Sequence, residues 1–339
     1  MKTLFRVISL FMMILFVVVF TQSQSRRAGA NGAAFLNIGV GARAVGLGSA
    51  TTALSNDVNQ VFWNPAGVAL KDEMLQASFD YNKWIGDLNH NSFAVSYNMK
   101  DVGTLALGVI MFGASDIPAD RDVYPNNPEL QKFQIDDRTS DTYNYSDLMI
   151  SLTYSRYLMD NLSLGITAKL ISETIDEKSA TAVGFDFGSV YDIGLANWKI
   201  AARMSNLGSD MKFYDFPVPL PLVFSIGTSV MPVNEDQYKV LLSIDGIKWQ
   251  DGPQYFFAGG EVSIMDILSI RGGYKFNYSG TKDDGTSWRP ARNNTLEGFS
   301  FGAGVKVPVS GYDIRIDYAF TDMDLFDPAH RISVHFGLK

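Results

Sequence analysis

Three histidines, His90, His330 and His335, are the only imidazoles in this chain of 339 residues, and it has no cysteine. Without thiols there can be no disulfide, thiolate metal site, cysteine nucleophile or lipidated N-terminal cysteine. The histidines are too scattered for a metal cluster, and His330 and His335 straddle a connection and a strand without ligand spacing. No Gly-x-Ser-x-Gly elbow, Walker-type loop or His-Glu-x-x-His motif occurs. One stretch imitates a phosphate cradle: Gly39-Val40-Gly41-Ala42-Arg43-Ala44-Val45-Gly46-Leu47-Gly48. It lacks the preceding strand and the helix-opening spacing that such a cradle requires. The sequence therefore predicts a protein that is not an enzyme and implies no cofactor and no metal.

The same stretch has another use. Gly41, Arg43, Gly46 and Gly48, followed by Trp63, Asn64, Pro65 and Gly67, leave backbone that can lie close against another surface but too little side chain for a core. Such a segment needs a host. Asn64-Pro65 marks a turn, because proline fixes its own φ and pushes the preceding residue away from α. The expectation is a plug inside the periplasmic mouth of a closed barrel, with Trp63 anchoring the turn in the wall.

The host is written in the alternation. From residue 74 onward, segments of eight to eleven residues alternate apolar with small or polar, the mark of a strand with two different faces. At the end of the chain Ile332, Val334, Phe336 and Leu338 oppose Arg331, Ser333, His335 and Gly337. Fourteen such strands are expected, at 74–81, 91–98, 104–112, 146–155, 162–172, 182–192, 197–205, 222–230, 238–246, 254–263, 267–277, 297–306, 312–320 and 331–338. Their connections alternate between long and short, with 173–181 and 247–253 among the long ones. Outer-membrane barrels sort their loops in this way, with short turns in the periplasm. The fold predicted is all-β: a fourteen-stranded antiparallel transmembrane barrel with an N-terminal segment plugging the lumen.

Lys169, Asp186, Lys199, Arg203, Asp245, Glu261, Arg271, Lys275, Lys306, Arg315 and Asp317 all fall on strand faces, too many charges for a dry soluble core. They suit a polar lumen, which leaves the apolar face for lipid. Tyr81, Trp84, Tyr154, Tyr157, Tyr191, Trp198 and Trp249 stand at strand ends, where interfacial girdles would place them. Residues 1–24 have the basic start, apolar run and polar end of a cleaved signal peptide. Residues 25–73 are then the plug and 74–339 the barrel, in the outer membrane of a Gram-negative bacterium in contact with lipid or lipopolysaccharide. A net charge of −8 argues against nucleic acid as a partner.

Two connections could bind partners. Phe213, Tyr214, Phe216, Pro217 and Pro219 form an apolar, proline-rich stretch that is costly to expose and could be a lid or a docking surface. Trp288, Arg289 and Arg292 add residue types favoured as interface anchors. The acidic connection 113–145 suits either partner or cation recognition or a solvated face.

Gly41-Ala42-Arg43-Ala44-Val45-Gly46-Leu47-Gly48 with Trp63-Asn64-Pro65-Ala66-Gly67 resembles the opening of PorV/PorQ-type outer-membrane proteins, distant relatives of the FadL fatty-acid transporter. Pro219-Leu220-Pro221-Leu222 and the ending from Phe299 to Leu338 are similar to the family as well. The resemblance implies a plugged fourteen-stranded barrel. It also implies a docking or shuttle subunit for secreted or surface proteins in a Bacteroidetes type IX secretion-like complex, with protein partners. The alternative it implies is a FadL-like channel for hydrophobic small molecules, for which a lumenal pocket beside a strand kink would speak, and against which a lumen packed solid with ion pairs would.

Overall fold

A computed structural model of the chain describes residues 31–70, 73–118, 142–213, 216–252, 254–278, 297–309, 311–323 and 326–338. The expected signal peptide, and Tyr214, Trp288, Arg289 and Arg292 of the expected partner-binding connections, lie outside the described residues.

Among the described residues sixteen strands follow in chain order: β1 Leu75–Lys83, β2 Asn89–Asn98, β3 Thr104–Pro118, β4 Thr142–Met159, β5 Leu162–Ile175, β6 Lys178–Asp192, β7 Lys199–Gly208, β8 Met211–Lys212, β9 Pro217–Val218, β10 Val223–Asn234, β11 Tyr238–Trp249, β12 Gln254–Ile264, β13 Leu268–Tyr278, β14 Phe299–Val309, β15 Tyr312–Thr321 and β16 Ala329–Leu338. All but β8 and β9 form one closed antiparallel barrel in which each strand pairs with its neighbours in sequence and β1 closes on β16. Closure leaves no edge strand, so the backbone is satisfied without water. β8 and β9 are a two-residue ribbon in the connection between β7 and β10. The chain therefore folds as a fourteen-stranded transmembrane barrel, and each expected strand overlaps one of its strands.

The period of two sets the two faces. Along β16, Arg331, Ser333 and His335 are buried while Ile332 and Val334 are exposed, and the same parity runs round the ring. Large apolar side chains such as Phe79, Leu152, Leu170, Ile270 and Phe301 face outward. The polar and charged partners face inward, among them Lys169, Asp186, Arg203, Asp245, Glu261, Arg271 and Asp317. This inversion of a soluble core is what a lipid-facing barrel requires.

The sorting of connections is only partly as expected. Residues 173–181 are mostly strand: β5 and β6 pair as far as Ile175 with Lys178, leaving a two-residue turn with Asp176 at φ 56°. β3 and β4 likewise run on to Pro118 and Thr142, so the ends of the expected 113–145 loop belong to the wall. The asymmetry lies in how far strand pairs project at one end as well as in loop length.

Before the barrel, the N-terminal segment is built from short pieces: 3-10 turns at Ala34–Asn37, Val58–Phe62 and Pro65–Val68, and one short helix, α1, at Ala42–Gly46. Asp57 caps the second turn by accepting from the Asn59 N–H at 2.9 Å, and Asn64 caps the third by accepting from the Ala66 N–H at 3.1 Å. None of these pieces could stand alone. Their hydrogen bonds to inward-facing side chains, from Ser155 and Ser163 on one side of the ring to Ser333 on the other, place the segment within the ring of strands.

Candidate functional site in the barrel lumen

The segment buries apolar side chains such as Phe35, Val40, Leu47, Val58, Val61 and Val68, and two close approaches of backbone set how it sits. Gly48 has φ +64°, and a Cβ there would come within 2.7 Å of the Tyr274 backbone nitrogen. Gly273 faces it, and a Cβ on that residue would overlap the Gly48 backbone. Backbone thus meets backbone, which only glycine on both sides allows. At the other side of the lumen Pro65 lies on Gly165 in the same manner.

Polar tethers fix the remainder. The backbone N–H groups of Thr51 and Thr52 both donate to one Asp245 carboxylate oxygen at 2.8 Å. Ala42 N–H donates to Ser333 Oγ at 2.7 Å, and Leu70 N–H to Thr104 Oγ1 at 3.1 Å. Asn64 Nδ2 donates to the Thr52 carbonyl at 2.7 Å, so the Asn64-Pro65 turn is tied to the segment as well as to the wall.

Arg43 occupies the centre of a closed ionic circuit. Its Nε and Nη2 meet both oxygens of Glu261 at 3.0 and 2.9 Å, and its Nη1 meets Asp57 at 3.2 Å. Glu261 also takes Arg271, whose Nη1 reaches Asp317 at 2.6 Å; Asp317 takes Arg315 at 2.7 Å, and Arg315 returns to Asp57 at 3.4 Å. Three arginines and three carboxylates therefore close a ring with no net charge, two members coming from the segment and four from β12, β13 and β15. Burial alone would raise the Asp57 carboxyl, but the charges of Arg315, His335 and Arg43 and the Asn59 N–H outweigh it and hold its pKa well below the usual range. Burial opposes the charge on Arg43 too, and Glu261 with Asp57 more than offsets it, raising its pKa.

Towards the long-connection end, the wall loosens. β6 and β7 slip register between Phe185 and Phe187, and Asn206, at φ 63°, is pushed into the lumen as a bulge. β7 and β10 pair only as far as Ser205 with Val223. Lys169 holds the bulge: its Nζ meets Asp186 at 2.6 Å and Asn206 Oδ1 at 2.8 Å. Beside the bulge is a cavity of about 70 Å³, bounded by Leu36–Val40 and Trp63 of the segment and by Arg203, Val223, Ile247, Trp249, Phe257 and Lys275 of the wall. Its lining is mixed, with aliphatic and aromatic side chains beside Asn37, Ser49, Ser205 and Asn206 and three cationic heads, Lys169, Arg203 and Lys275.

The expected site residues are distributed as follows. Gly41, Arg43, Gly46 and Gly48 line the β12–β16 side of the lumen, while Asn64, Pro65 and Gly67 lie towards β4–β6. Trp63 is not in the wall. Its ring lies in the lumen, with Nε1 donating to the Val40 carbonyl at 3.0 Å and the Arg203 guanidinium 5.5 Å from the ring centre. Nor is the segment confined to the short-turn mouth, since Leu36–Val40 reach the Trp249 region, where Trp249 Nε1 donates to Asn37 Oδ1 at 2.9 Å. In the proline-rich connection Phe213 packs inward, Pro217 belongs to β9, Pro219 accepts from the Gly32 N–H at 3.0 Å, and Phe216 is 83% exposed. Trp84 and Trp249, read as girdle residues, point into the lumen. Asp57, Asp80, Asn82, His90 and Arg331 were absent from the expected lumenal set; strand parity alone would have found Arg331, which shares a face with Ser333 and His335.

No family model matches the chain, and no curated protein matches it. Among solved structures it is similar in fold to the monoaromatic hydrocarbon channel CymD, with a TM-score of 0.55 at 12% identity over 89% of this chain and 97% of that one. The Ralstonia pickettii toluene transporter TbuX gives 0.52 at 12% identity over 88% and 97%. A Pseudomonas aeruginosa FadL homologue gives 0.52 at 13% identity over 88% and 98%. Identities this low speak for a shared barrel architecture and leave function to the site.

Proposed function

We propose that this protein is a FadL-like channel of the Gram-negative outer membrane, admitting hydrophobic or amphiphilic small molecules from the long-connection end of the barrel. The observation that carries this reading is the cavity beside the β7 bulge, lined in part by aromatic side chains, where β7 and β10 part. A likeness in fold to a monoaromatic hydrocarbon channel and a toluene transporter supports it. At about 70 Å³ the cavity is smaller than the roughly 150 Å³ in which an engineered apolar site binds benzene. Loading therefore requires Leu36–Val40 to move, while the ionic ring keeps the lower part of the segment in place as a plug. The ring counts against an open pore.

Native mass spectrometry of the barrel released from its own membrane tests this. A bound apolar or amphiphilic small molecule is expected, and Val223→Trp, which fills the cavity, is expected to lose it without loss of heat stability. Recovery free of small molecules and in stoichiometric complex with a secreted protein would instead support a PorV/PorQ-type docking subunit of a type IX secretion-like complex. That second reading draws on the exposed Phe216 in its proline-rich connection, an apolar side chain left to solvent at the surface.

A further inference from the structure

We infer that Arg331, Asn82 and His90 form a binding site for an oxyanion, the carboxylate or phosphate group of a small molecule, on the lumenal wall outside the lining of the cavity. The three residues lie in one lateral row. Asn82 of β1 is paired with Arg331 of β16 on one side and with His90 of β2 on the other, and all three face inward.

Each is about 2% exposed, yet each carries polar atoms with no hydrogen-bond partner: Arg331 Nε and Nη2, both amide atoms of Asn82, and His90 Nε2. Buried polar groups are ordinarily paired, and a buried guanidinium without a counter-charge is among the costliest exceptions. The pattern at Arg331 is specific. Nη1 is used, donating to Thr321 Oγ1 at 3.0 Å, and the edge left bare is the Nε–Nη2 fork. That is the edge with which a guanidinium takes both oxygens of a carboxylate or phosphate. The chain shows the same edge filled elsewhere, where Arg43 Nε and Nη2 hold Glu261 at 3.0 and 2.9 Å. Asn82, next to Arg331 in the register, adds a second donor in Nδ2, and His90 Nε2 a third in the tautomer that carries its proton there.

Two aromatic rings lie against this row, Phe112 with its centroid 5.9 Å from that of His90, and Trp84 at Arg331. The Trp84 ring stacks 5.1 Å from the Arg331 guanidinium and stands in the connection after β1, half-exposed, so it links the site to the outside. An entering anion must displace or share that ring, which makes Trp84 a reporter. This inference does not depend on the channel reading, since the row does not line the cavity.

The test uses the full-length protein in detergent at neutral pH, titrated with sodium acetate and with sodium phosphate against sodium chloride at equal ionic strength. The expected result is a saturable tryptophan fluorescence change with one or both oxyanions and none with chloride, the change vanishing in Trp84→Phe while calorimetric binding persists. Arg331→Met and Asn82→Leu are expected to weaken binding about tenfold or more, as loss of a charge-assisted pair does. Arg331→Lys, which keeps the charge but not the fork, is expected to weaken it too. A response to acetate alone identifies a carboxylate ligand, and to phosphate alone a phosphoryl group. The inference is overturned if neither oxyanion exceeds chloride, or if binding is unchanged in whichever of Arg331→Met and Asn82→Leu folds.

Discussion

At the short-connection end of the lumen Arg43, partly buried, is paired with two carboxylates, Glu261 and Asp57, whereas near the long-connection end Arg331 is more deeply buried and has none within reach among the described residues. Both arginines face the lumen, one from the helix of the segment and one from a wall strand, and the difference lies in what each guanidinium meets. A ring of three arginines and three acids has no net charge and satisfies itself, and it locks the segment that supplies Arg43 and Asp57. A bare fork beside an unpaired amide does the reverse, holding donors in readiness for something that the chain does not itself provide. The segment follows the same division: fixed through residues 42–70 by tethers to the wall, and held at Leu36–Val40 by its own turn, by apolar packing and by two tryptophan hydrogen bonds, of which only that from Trp249 comes from the wall.

The largest effect is expected where the ring is broken. Arg43→Met leaves Glu261 and Asp57 short of a partner inside the lumen and should cost about 3–5 kcal/mol, the usual penalty for opening a buried pair. A fall in the heat-modification midpoint on semi-native gels measures it. Gly48→Ala comes next, at roughly 2–4 kcal/mol, from overpacking against the Tyr274 backbone together with left-handed strain. Both variants should release the segment without dismantling the wall, which circular dichroism can verify.

Acid should open the same lock. Because the folded pKa of Asp57 is depressed below its unfolded value, its contribution to stability is fully present above about pH 4 and is lost as pH falls further, through the folded pKa. Heat stability is expected to decline below that pH in the wild type, and the Asp57→Asn variant should lack the part of the decline that belongs to this residue. The smallest effect is expected at the other end. Arg331→Met, assayed without oxyanion, should change stability by less than about 1 kcal/mol or raise it, because it removes an unpaired buried charge in place of one half of a pair. A loss as large as that at Arg43 would erase the contrast.

Much of this architecture was legible in the sequence. Period-two alternation gave every wall strand, because a lumen lined with charge and an exterior lined with Leu, Ile and Phe leave a signal at each position. What alternation could not give was pairing at a distance: Arg43 and Glu261 are 218 residues apart, and nothing local marks them as partners. The turn at Asp176 was hidden because Glu173 and Thr174, polar residues read as loop, continue the strand beyond the apolar band. Trp84 and Trp249 were misplaced because residue type was weighed above parity, which puts Trp249 on the same face as Asp245 and Ile247. The β7 bulge left no sequence signal beyond Asn206, a residue tolerant of positive φ.

The division of the lumenal segment is tested most directly by hydrogen exchange on the detergent-solubilised protein, read residue by residue over 36–70. The amides of Ala42, Thr51, Thr52 and Leu70, tethered to wall side chains, should exchange orders of magnitude more slowly than those of Leu36–Val40. Equal protection along the whole segment, or faster exchange at Thr51 and Thr52 than at Ile38, would contradict a latched lower half beneath a movable upper one.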